Sequence, residues 1–487
     1  MTQIPEYQFD LPTISGYEKE VEEVILQNKD RNFYLESSPY DFSKIRGVAS
    51  IALHCHQPLI PAGGGDNLET ASFISNLKYM MDNQGIGDNH NAPVFLWCYK
   101  RIGEFIPELS AEGKEPRCML EYTGELLYGL RNMGAHDVID SLKSITCDSR
   151  YNRYIEWLGC PWGHAVAPST PMQDFKLHVK AWQQYFASIF GLEALARVRG
   201  FSPSEMALPN HPDTAYEYVK VLKECGFKWL LVQEHTIELL NGEGVKLKHI
   251  PHRLVCKNSD GKEESIVVLI KTQGSDTKLV AQMQPFYEAQ SFERLDFARK
   301  NIPMCATQIA DGENGGVMMN EFPPKFKEVS RQLTRDSDVV LMNGSEYLEH
   351  FFNTGIKEED LPAVQPMHQK KLWDNFNVGD GREKLESVIS EISRHDHLFN
   401  MEGGSWTNDI SWVRGYENVL GPMEKVSVLF NEKIINNNIP TRDERFANAL
   451  FLLMCSQTSC FRYWGQGTWT DYAREICRRG EAYLNGI

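Results

Sequence analysis

The sequence predicts an α/β fold, either a β/α barrel or a doubly wound sheet, in which buried parallel strands alternate with helices. Two observations support this prediction. Short apolar runs recur along the chain, and each stops abruptly at polar residues or glycine. Stretches with helical spacing of their apolar residues fill the intervals between these runs. In both folds the chemistry lies at the carboxyl ends of the strands, which is where the polar clusters of this sequence fall.

Five apolar runs are predicted to be buried strands because each is short and is bounded by helical spacing or by glycine. They lie at 48–53, 118–122, 154–158, 229–232 and 304–310. A further run at 339–342 precedes a capped helix start and is predicted to be the last strand. Helical spacing at 215–225 ends at Gly226, a typical stop signal.

The chain divides into three parts by composition. Residues 1–45 are polar and aromatic-rich and are predicted to be an extension packed on the main body. Residues 46–360 contain the alternation of strands and helices. A Gly-rich, charged insertion at 236–300 is expected to be β-rich and to carry one further barrel strand. Helical spacing, notably at 419–435, predicts a mainly helical domain over 361–487.

Composition excludes several classes of partner. The chain has 487 residues, 42% of them hydrophobic and 24% charged, which is ordinary for a soluble globular protein. Its formal net charge of −16 argues against nucleic acid or an anionic membrane as the main partner. No secretory signal is visible, and the longest apolar run, 446–455, is shorter than a membrane span. Eleven cysteines without a CxxC pair fit reduced thiols, so we expect a cytoplasmic protein.

Two acids are candidate catalytic residues. Glu205 is flanked by Met and Ala in a loop bracketed by prolines, which suits a fixed, partly desolvated carboxylate; the alternative is an acid that caps the next helix. Asp311 ends an apolar run and is followed by small and polar residues at 312–316. The alternative there is a Ca²⁺ loop, although the usual acidic spacing is absent. A pair of acids at two strand ends is what glycoside hydrolysis requires.

Histidines and tryptophans near the strand ends are candidate ligand contacts. His54 and His56 alternate at a strand end and could bind zinc, with His164 or Asp311 as a third ligand, but hydrogen bonds to sugar hydroxyls are the favoured interpretation. Trp406 and other tryptophans in Gly-rich loops could stack on sugar rings or belong to the core.

The ordered set of motifs resembles glycoside hydrolase family 57, whose members act on α-glucans through a seven-stranded β/α barrel. The motifs are HCHQP at 54–58, IEWLGCPWGH at 155–164, GFSPSEMALP at 200–209, DGEN at 311–314 and GSW at 404–406. The likeness covers roughly 47–480 in the family's order. It implies a (β/α)7 barrel followed by a C-terminal helical domain that contributes to the cleft.

The resemblance also assigns roles. It makes Glu205 the nucleophile and Asp311 the general acid/base of a retaining reaction, which predicts carboxyl groups about 5–6 Å apart. It implies no metal and no cofactor, and an oligo- or polysaccharide α-glucan as substrate. The implied substrate-binding residues are His54, His56, Gln57, Glu156, Trp162, His164, Glu313, Trp406 and Trp464.

One departure leaves the substrate open. Several relatives carry an Asp-Trp pair in the last aromatic segment, where this chain has Ser459-Cys460. The main prediction is a retaining glycoside hydrolase, and the alternative is a 4-α-glucanotransferase or a branching-type transglycosylase. More remote alternatives are a metal-dependent deacetylase or mannosidase and an inactive glucan-binding protein.

Overall fold

A closed barrel of seven parallel strands forms the centre of the molecule. The computed structural model describes residues 3–65, 67–272, 278–313, 320–407, 411–463 and 467–487. The barrel strands are β1 (Gly47–Cys55), β2 (Cys118–Tyr122), β3 (Ile155–Gly159), β4 (Gly200–Phe201), β5 (Trp229–Gln233), β6 (Glu263–Lys271) and β7 (Met304–Asp311).

The ring closes without an antiparallel member. The strands pair in the order β6–β7–β1–β2–β3–β4–β5, and β5 pairs with β6. The predicted fold class is therefore confirmed. Of the two architectures that the apolar runs allowed, the chain adopts the barrel.

The barrel interior is filled by every second residue of each strand, as strand geometry requires. One apolar cluster joins Val48, Met119, Leu158, Leu231 and Leu269 from five different strands, so these side chains point inward. The residues between them belong to a second cluster shared with the surrounding helices. Because both faces of the strands are buried, the strands appear in the sequence as nearly continuous apolar runs.

Helices surround the barrel and extend the chain beyond it. Those before the C-terminal third are Glu18–Gln27, Asn76–Asp82, Ala92–Ala111, Gly124–Asn132, His136–Cys147, Met172–Phe190, Leu192–Ala196, Pro212–Glu224, Lys278–Ala281, Gln284–Ala289, Phe322–Gln332 and Gly344–Asn353. Those of the C-terminal third are Gln369–Trp373, Arg382–His395, Glu417–Phe430, Glu444–Ser456, Cys460–Tyr463 and Thr468–Asn485. None of the described helices combines the length and apolar character that a membrane span requires.

Short strands lie outside the ring. They are Tyr7–Gln8, Leu11–Pro12, Leu59–Gly63, Ser72–Ser75, Ile237–Leu239, His252–Lys257, Leu295–Phe297, Lys300–Ile302, Val339–Leu341 and Ala363–Pro366. The segment 236–300 contributes β6 to the ring and places His252–Lys257 antiparallel beside it.

The strand predicted at 339–342 exists, but it is not the last strand of the barrel. Val339–Leu341 pairs with the beginning of β1 and lies outside the closed ring. The helix Gly344–Asn353 then begins below the barrel, where Ser345 meets the first residue of β5, Trp229. The barrel strand that the sequence did not predict is β4, whose two residues are too few to produce a periodic signal.

The C-terminal part contains two packing units. Glu417–Phe430, Glu444–Ser456 and Thr468–Asn485 pack against one another and share the core of the helices around the barrel. Residues 372–399 have a separate small apolar core.

Candidate active site

Glu205 projects from a constrained turn after β4. Its backbone has φ 58° and ψ 20°, and Met206 follows with φ 49°, so two non-glycine residues adopt the left-handed conformation. Such a conformation costs about 1–3 kcal/mol and persists only where the surroundings impose it. Here Leu208 and Gly404 exchange two backbone hydrogen bonds of 2.8 and 3.1 Å, and Trp406 N–H donates to the Glu205 carbonyl at 3.0 Å. The turn therefore fixes the direction of the Glu205 side chain.

Opposing influences of the surroundings set the pKa of Glu205. Burial raises the pKa of Glu205 to about 7, and the Asp311 carboxylate contributes to the rise. The hydroxyl of Ser459, the indole N–H of Trp406 and the cation of His54 act in the opposite direction. Asp311 is thus close enough to Glu205 for each charge to influence the other.

Asp311 is the last residue of β7 and lies opposite His54 in the register of β7 and β1. The next residue, Gly312, donates its N–H to the His54 carbonyl at 2.6 Å. A Cβ at this glycine would lie 2.6 Å from Cys55 Sγ, so only glycine allows the turn to approach β1 this closely. The glycine that follows Asp311 therefore has a packing reason.

His54 is held as a cation inside the barrel mouth. Its Nδ1 lies 2.5 Å from Glu121 Oε2, and the Glu121 side chain is only 2% exposed. Burial disfavours the cation, but the carboxylates of Glu121, Asp311 and Glu313 outweigh it and raise the pKa of His54 to about 10. A positive charge thus lies among the acids of the mouth at neutral pH.

His56 and His164 are neutral, and the His164 ring stacks between those of His54 and His56. The His164 ring lies 4.6 Å from that of His54 and 4.4 Å from that of His56. Burial, together with the neighbouring His54, lowers the pKa values of both His56 and His164 well below 6.5. The 3.7 Å approach of His164 Nδ1 to Glu205 Oε1 is therefore a contact of a neutral imidazole rather than an ion pair.

Glu313 completes the acidic group beside Asp311. Its Oε1 accepts the backbone N–H of His56 at 3.0 Å. Burial raises the pKa of Glu313 to about 7; His54 opposes this rise and Asp311 adds to it. The carboxyls of Glu121, Glu205, Asp311 and Glu313 thus lie around one imidazolium in a small, partly desolvated volume.

The C-terminal segment after Glu444–Ser456 enters the site, which the sequence did not predict in residue detail. Thr458 Oγ1 lies 3.0 Å from His56 Nε2, and Ser459 Oγ lies 2.7 Å from His164 Nδ1. Because an ionised carboxylate only accepts, the Ser459 hydroxyl donates to Glu205 and accepts from the Nδ1–H of His164.

Other residues of the site were also not predicted from the sequence. Glu121 lies in a run predicted as a strand. Its position two residues after inward-facing Met119 is the signal that could have identified it as a residue of the barrel mouth. The buried cation Arg462 donates to the Trp412 carbonyl at 3.0 Å and feels the charge of Glu205. Nothing in the sequence around Arg462 predicted that position.

Three predicted substrate-binding residues have side-chain contacts with other parts of the fold. Glu156 is fully buried, and its carboxylate accepts from the N–H and hydroxyl of Ser345 at 2.8 and 2.5 Å. Trp162 is fully buried with its ring against Phe451. Gln57, 7% exposed, bonds with Tyr99 and Asn76. The three side chains have internal partners, whereas Trp464 lies outside the described residues.

Trp406 lies beside the acids, and its half-buried side chain packs against the cluster that fills the barrel. The chemistry that the mouth can support is proton transfer and nucleophilic attack by paired carboxyls in a desolvated volume. Within the described parts of the chain, no group of three or more His, Cys, Asp or Glu side chains has the geometry to hold a metal ion.

Comparison with known proteins adds a family and a fold. The sequence profile described as glycosyl hydrolase family 57 matches residues 50–295, just over half of the chain. No curated protein sequence matches. Among solved structures, a 4-α-glucanotransferase from Thermococcus litoralis is 16% identical with a TM-score of 0.54; the alignment covers 90% of this chain and 59% of that one, less than two thirds of its length.

Two further structures resemble the chain over most of its length. An exo-type maltose-forming amylase from Pyrococcus sp. ST04 is 12% identical with a TM-score of 0.53, covering 90% of this chain and 79% of that one. An α-amylase from Thermotoga maritima is 12% identical with a TM-score of 0.50, covering 91% and 93%. At these identities the likeness shows the fold.

Proposed function

This chain belongs to glycosyl hydrolase family 57, and from that premise we propose that it cleaves glycosidic bonds of α-glucans with retention of configuration. In this proposal Glu205 is the nucleophile and Asp311 is the general acid/base. The observation that carries the proposal is the environment of Glu205: a strained turn aims this carboxyl at the group that contains Asp311 and cationic His54.

The surroundings of Glu205 fit the protonation states that the roles of nucleophile and general acid require. A nucleophile must be ionised while the acid is protonated, so the active state holds one proton for the two groups. When Asp311 carries that proton, its repulsion of Glu205 disappears, and Ser459, Trp406 and His54 favour the Glu205 anion. The neighbours of Glu205 thus support the ionised nucleophile in the protonation state that the reaction needs.

The reaction then proceeds in two displacements. Asp311 gives its proton to the glycosidic oxygen while a Glu205 oxygen attacks the anomeric carbon. The carbon–oxygen bond to the departing sugar breaks, and a covalent glycosyl-enzyme forms. Asp311 next takes a proton from water, whose oxygen attacks the same carbon and releases Glu205. His54, His56, His164 and Glu313 would bind the hydroxyls of the sugar at the cleaved bond.

A sugar hydroxyl can replace water in the second displacement, and the enzyme is then a transglycosylase. We propose hydrolysis as the main reaction, with 4-α-glucan transfer or branching as the alternative. The product profile on maltooligosaccharides distinguishes them, because transfer yields products longer than the substrate. The proposed steps use no metal, so turnover should persist in EDTA.

The assignment of roles is tested by azide rescue. Glu205→Gln and Asp311→Asn should each lower turnover on maltooligosaccharides by about three orders of magnitude or more. Glu205→Gly should fold well because glycine tolerates φ 58°. With azide and an α-maltosyl fluoride substrate, that variant should release a glycosyl azide of inverted configuration.

Glu23→Gln is the matched control, since it makes the same chemical change on an exposed side chain of Glu18–Gln27. It should retain normal turnover. Near-normal turnover of Glu205→Gln, with an unchanged melting temperature, would place the nucleophile elsewhere and overturn the assignment.

A further inference from the structure

The positions of the two acids divide the barrel mouth into two arcs. Between Asp311 on β7 and Glu205 after β4, one arc comprises β1, β2 and β3 with the stacked histidines. The other comprises β5 and β6. A glycosidic bond held between a nucleophile and an acid joins two sugars, so side chains of both arcs are available to bind them.

The second arc contains a buried lysine that the proposed mechanism leaves unused. Lys271 is the last residue of β6 and is only 4% exposed. It follows inward-facing Val267 and Leu269 at alternating positions, so it shares their side of the strand and points into the barrel. Its register neighbours are Gln233 of β5 and Thr307 of β7, both 1% exposed or less.

Lys271 and Gln233 form a polar layer directly above the apolar side chains that fill the barrel. Gln233 follows inward-facing Leu231, just as Lys271 follows Leu269. Because tilted strands are staggered around a closed barrel, the ends of β5 and β6 rise to the same mouth as the ends of β1 and β7. An amine on a flexible four-carbon stem can extend from this layer to the rim.

The register of β6 with β5 places Lys271 opposite Gln233, the residue before Glu234 and His235. Burial lowers the pKa of Lys271 to about 8, and the Glu234 carboxylate opposes that shift. Lys271 in turn contributes to lowering the pKa of His235, whose Nε2 lies 2.5 Å from the Ser405 carbonyl. Ser405 precedes Trp406, whose backbone N–H donates to the Glu205 carbonyl at 3.0 Å. The amine is therefore close to the chain segment that borders the nucleophile.

We propose that Lys271 is a specificity-determining residue that donates hydrogen bonds to the sugar unit on the leaving-group side of the cleaved bond. The same contact would position the acceptor sugar if the enzyme transfers. The arc of β1, β2 and β3, with its stacked histidines, lies close to the acids and suits the sugar that becomes attached to Glu205. The sugar that departs next to Asp311 then lies against β6, the neighbour of β7 in the ring.

The inference rests on the proposed α-glucan chemistry, and two substrates separate the two questions. A maltooligosaccharide has a sugar as its leaving group, whereas α-maltosyl fluoride has only fluoride. Lys271→Met keeps the stem and removes the amine. It should lower kcat/KM on the maltooligosaccharide by about 10–100-fold and on the fluoride by less than about threefold. Lys271→Arg should recover part of the loss.

Lys248→Met is the matched control, because Lys248 pairs with the same Glu234 at 2.6 Å but is 40% exposed. It should leave both substrates unaffected. Equal losses of Lys271→Met on both substrates, or no loss on either, would overturn the role of Lys271. A wild-type enzyme inactive on both substrates would instead overturn the proposed function. If Lys271→Met fails to fold, Lys271→Arg on the two substrates makes the same comparison.

Discussion

At the scale of single residues, the charge of Glu205 is set by neighbours that come from distant parts of the chain. Burial and Asp311 raise its pKa, whereas Ser459, Trp406 and His54 lower it. Each of these contributions is open to a separate substitution. The hydroxyl of Ser459 is the simplest to remove, because serine and alanine differ little in size.

Ser459→Ala should move the acid limb of the pH profile to higher pH. A carboxylate nucleophile is active when ionised, and the hydrogen bond from Ser459 lowers the pKa of Glu205, so its loss raises that pKa. A hydrogen bond to a charged group is worth about 1.5 kcal/mol, which corresponds to a shift of about one pH unit. The measurement is kcat/KM against pH on α-maltosyl fluoride for both enzymes.

Ser456→Ala is a suitable control, since Ser456 is also buried but donates to the Leu453 carbonyl inside its own helix. Its limb should coincide with that of the wild type. If the limb of Ser459→Ala stays in place or moves to lower pH, Ser459 does not act on the nucleophile.

At the scale of elements, the sequence predicted what periodicity can reveal. The runs at 118–122 and 304–310 became β2 and β7 almost to the residue, because buried parallel strands are apolar on both faces. The two residues of β4 carry no period, and only their place in a motif marked them. The apolar run at 339–342 resembled a barrel strand because pairing beside β1 buries it equally well.

The segment 402–407 acts as an element of the site although it has little regular structure. The bridge between Leu208 and Gly404 fastens it to the Glu205 turn, and the contact of His235 with Ser405 fastens it to β5. A Cβ at Gly404 would lie 2.8 Å from Met367 Sδ and 3.2 Å from the Thr236 Cα, so a larger residue would crowd its neighbours. The segment thus holds Trp406 against the nucleophile.

Trp406→Ala should weaken oligosaccharide binding by about 1–3 kcal/mol, the usual contribution of an aromatic platform. Trp406→Phe keeps an aromatic face but loses the indole N–H that lowers the pKa of Glu205. It should preserve most of the affinity while moving the acid limb to higher pH. Affinity is measured by calorimetry with a maltooligosaccharide, and melting temperature is recorded for each variant.

Trp373→Ala is the control, because that half-buried tryptophan packs in the separate core of 372–399. It should lower stability without changing affinity. The same result for Trp406→Ala would mean that Trp406 is a packing residue and has no direct contact with the glucan.

At the scale of the whole molecule, the site depends on contacts that local sequence cannot reveal. His54, Glu205 and Asp311 lie in continuous motifs, and the sequence predicted them as candidate site residues. Ser459 reaches Glu205 only because the chain returns to the barrel mouth some 250 residues later. The sequence did not show that Lys271 points into the barrel, because this follows from which residues of β6 face inward. The tertiary arrangement, rather than any local pattern, brings these groups together.

The buried ionisable groups also make global stability depend on pH. The pKa values of His54, Glu156, Glu205 and Glu313 are all raised, so these four groups bind more protons in the folded state than in the unfolded state. For each carboxyl, stability is fully present below the unfolded value of 4.5 and is lost as pH rises through the folded value. For His54 the loss extends from about 6.5 to about 10. Stability should therefore fall from pH 7 to pH 10.

Glu156→Gln isolates one of these contributions without touching the barrel mouth. Burial raises the pKa of Glu156 to about 8, although Ser345 donates twice to its carboxylate. Between pH 4.5 and 8 such a group costs the folded state about 1.4 kcal/mol per pH unit, and glutamine has no such dependence. The free energy of unfolding of Glu156→Gln, relative to wild type, should therefore rise from pH 5 to 8 and then level off. Urea unfolding at each pH measures this difference, with Glu23→Gln expected to give a flat line; a flat line for Glu156→Gln as well would show that Glu156 is ionised throughout.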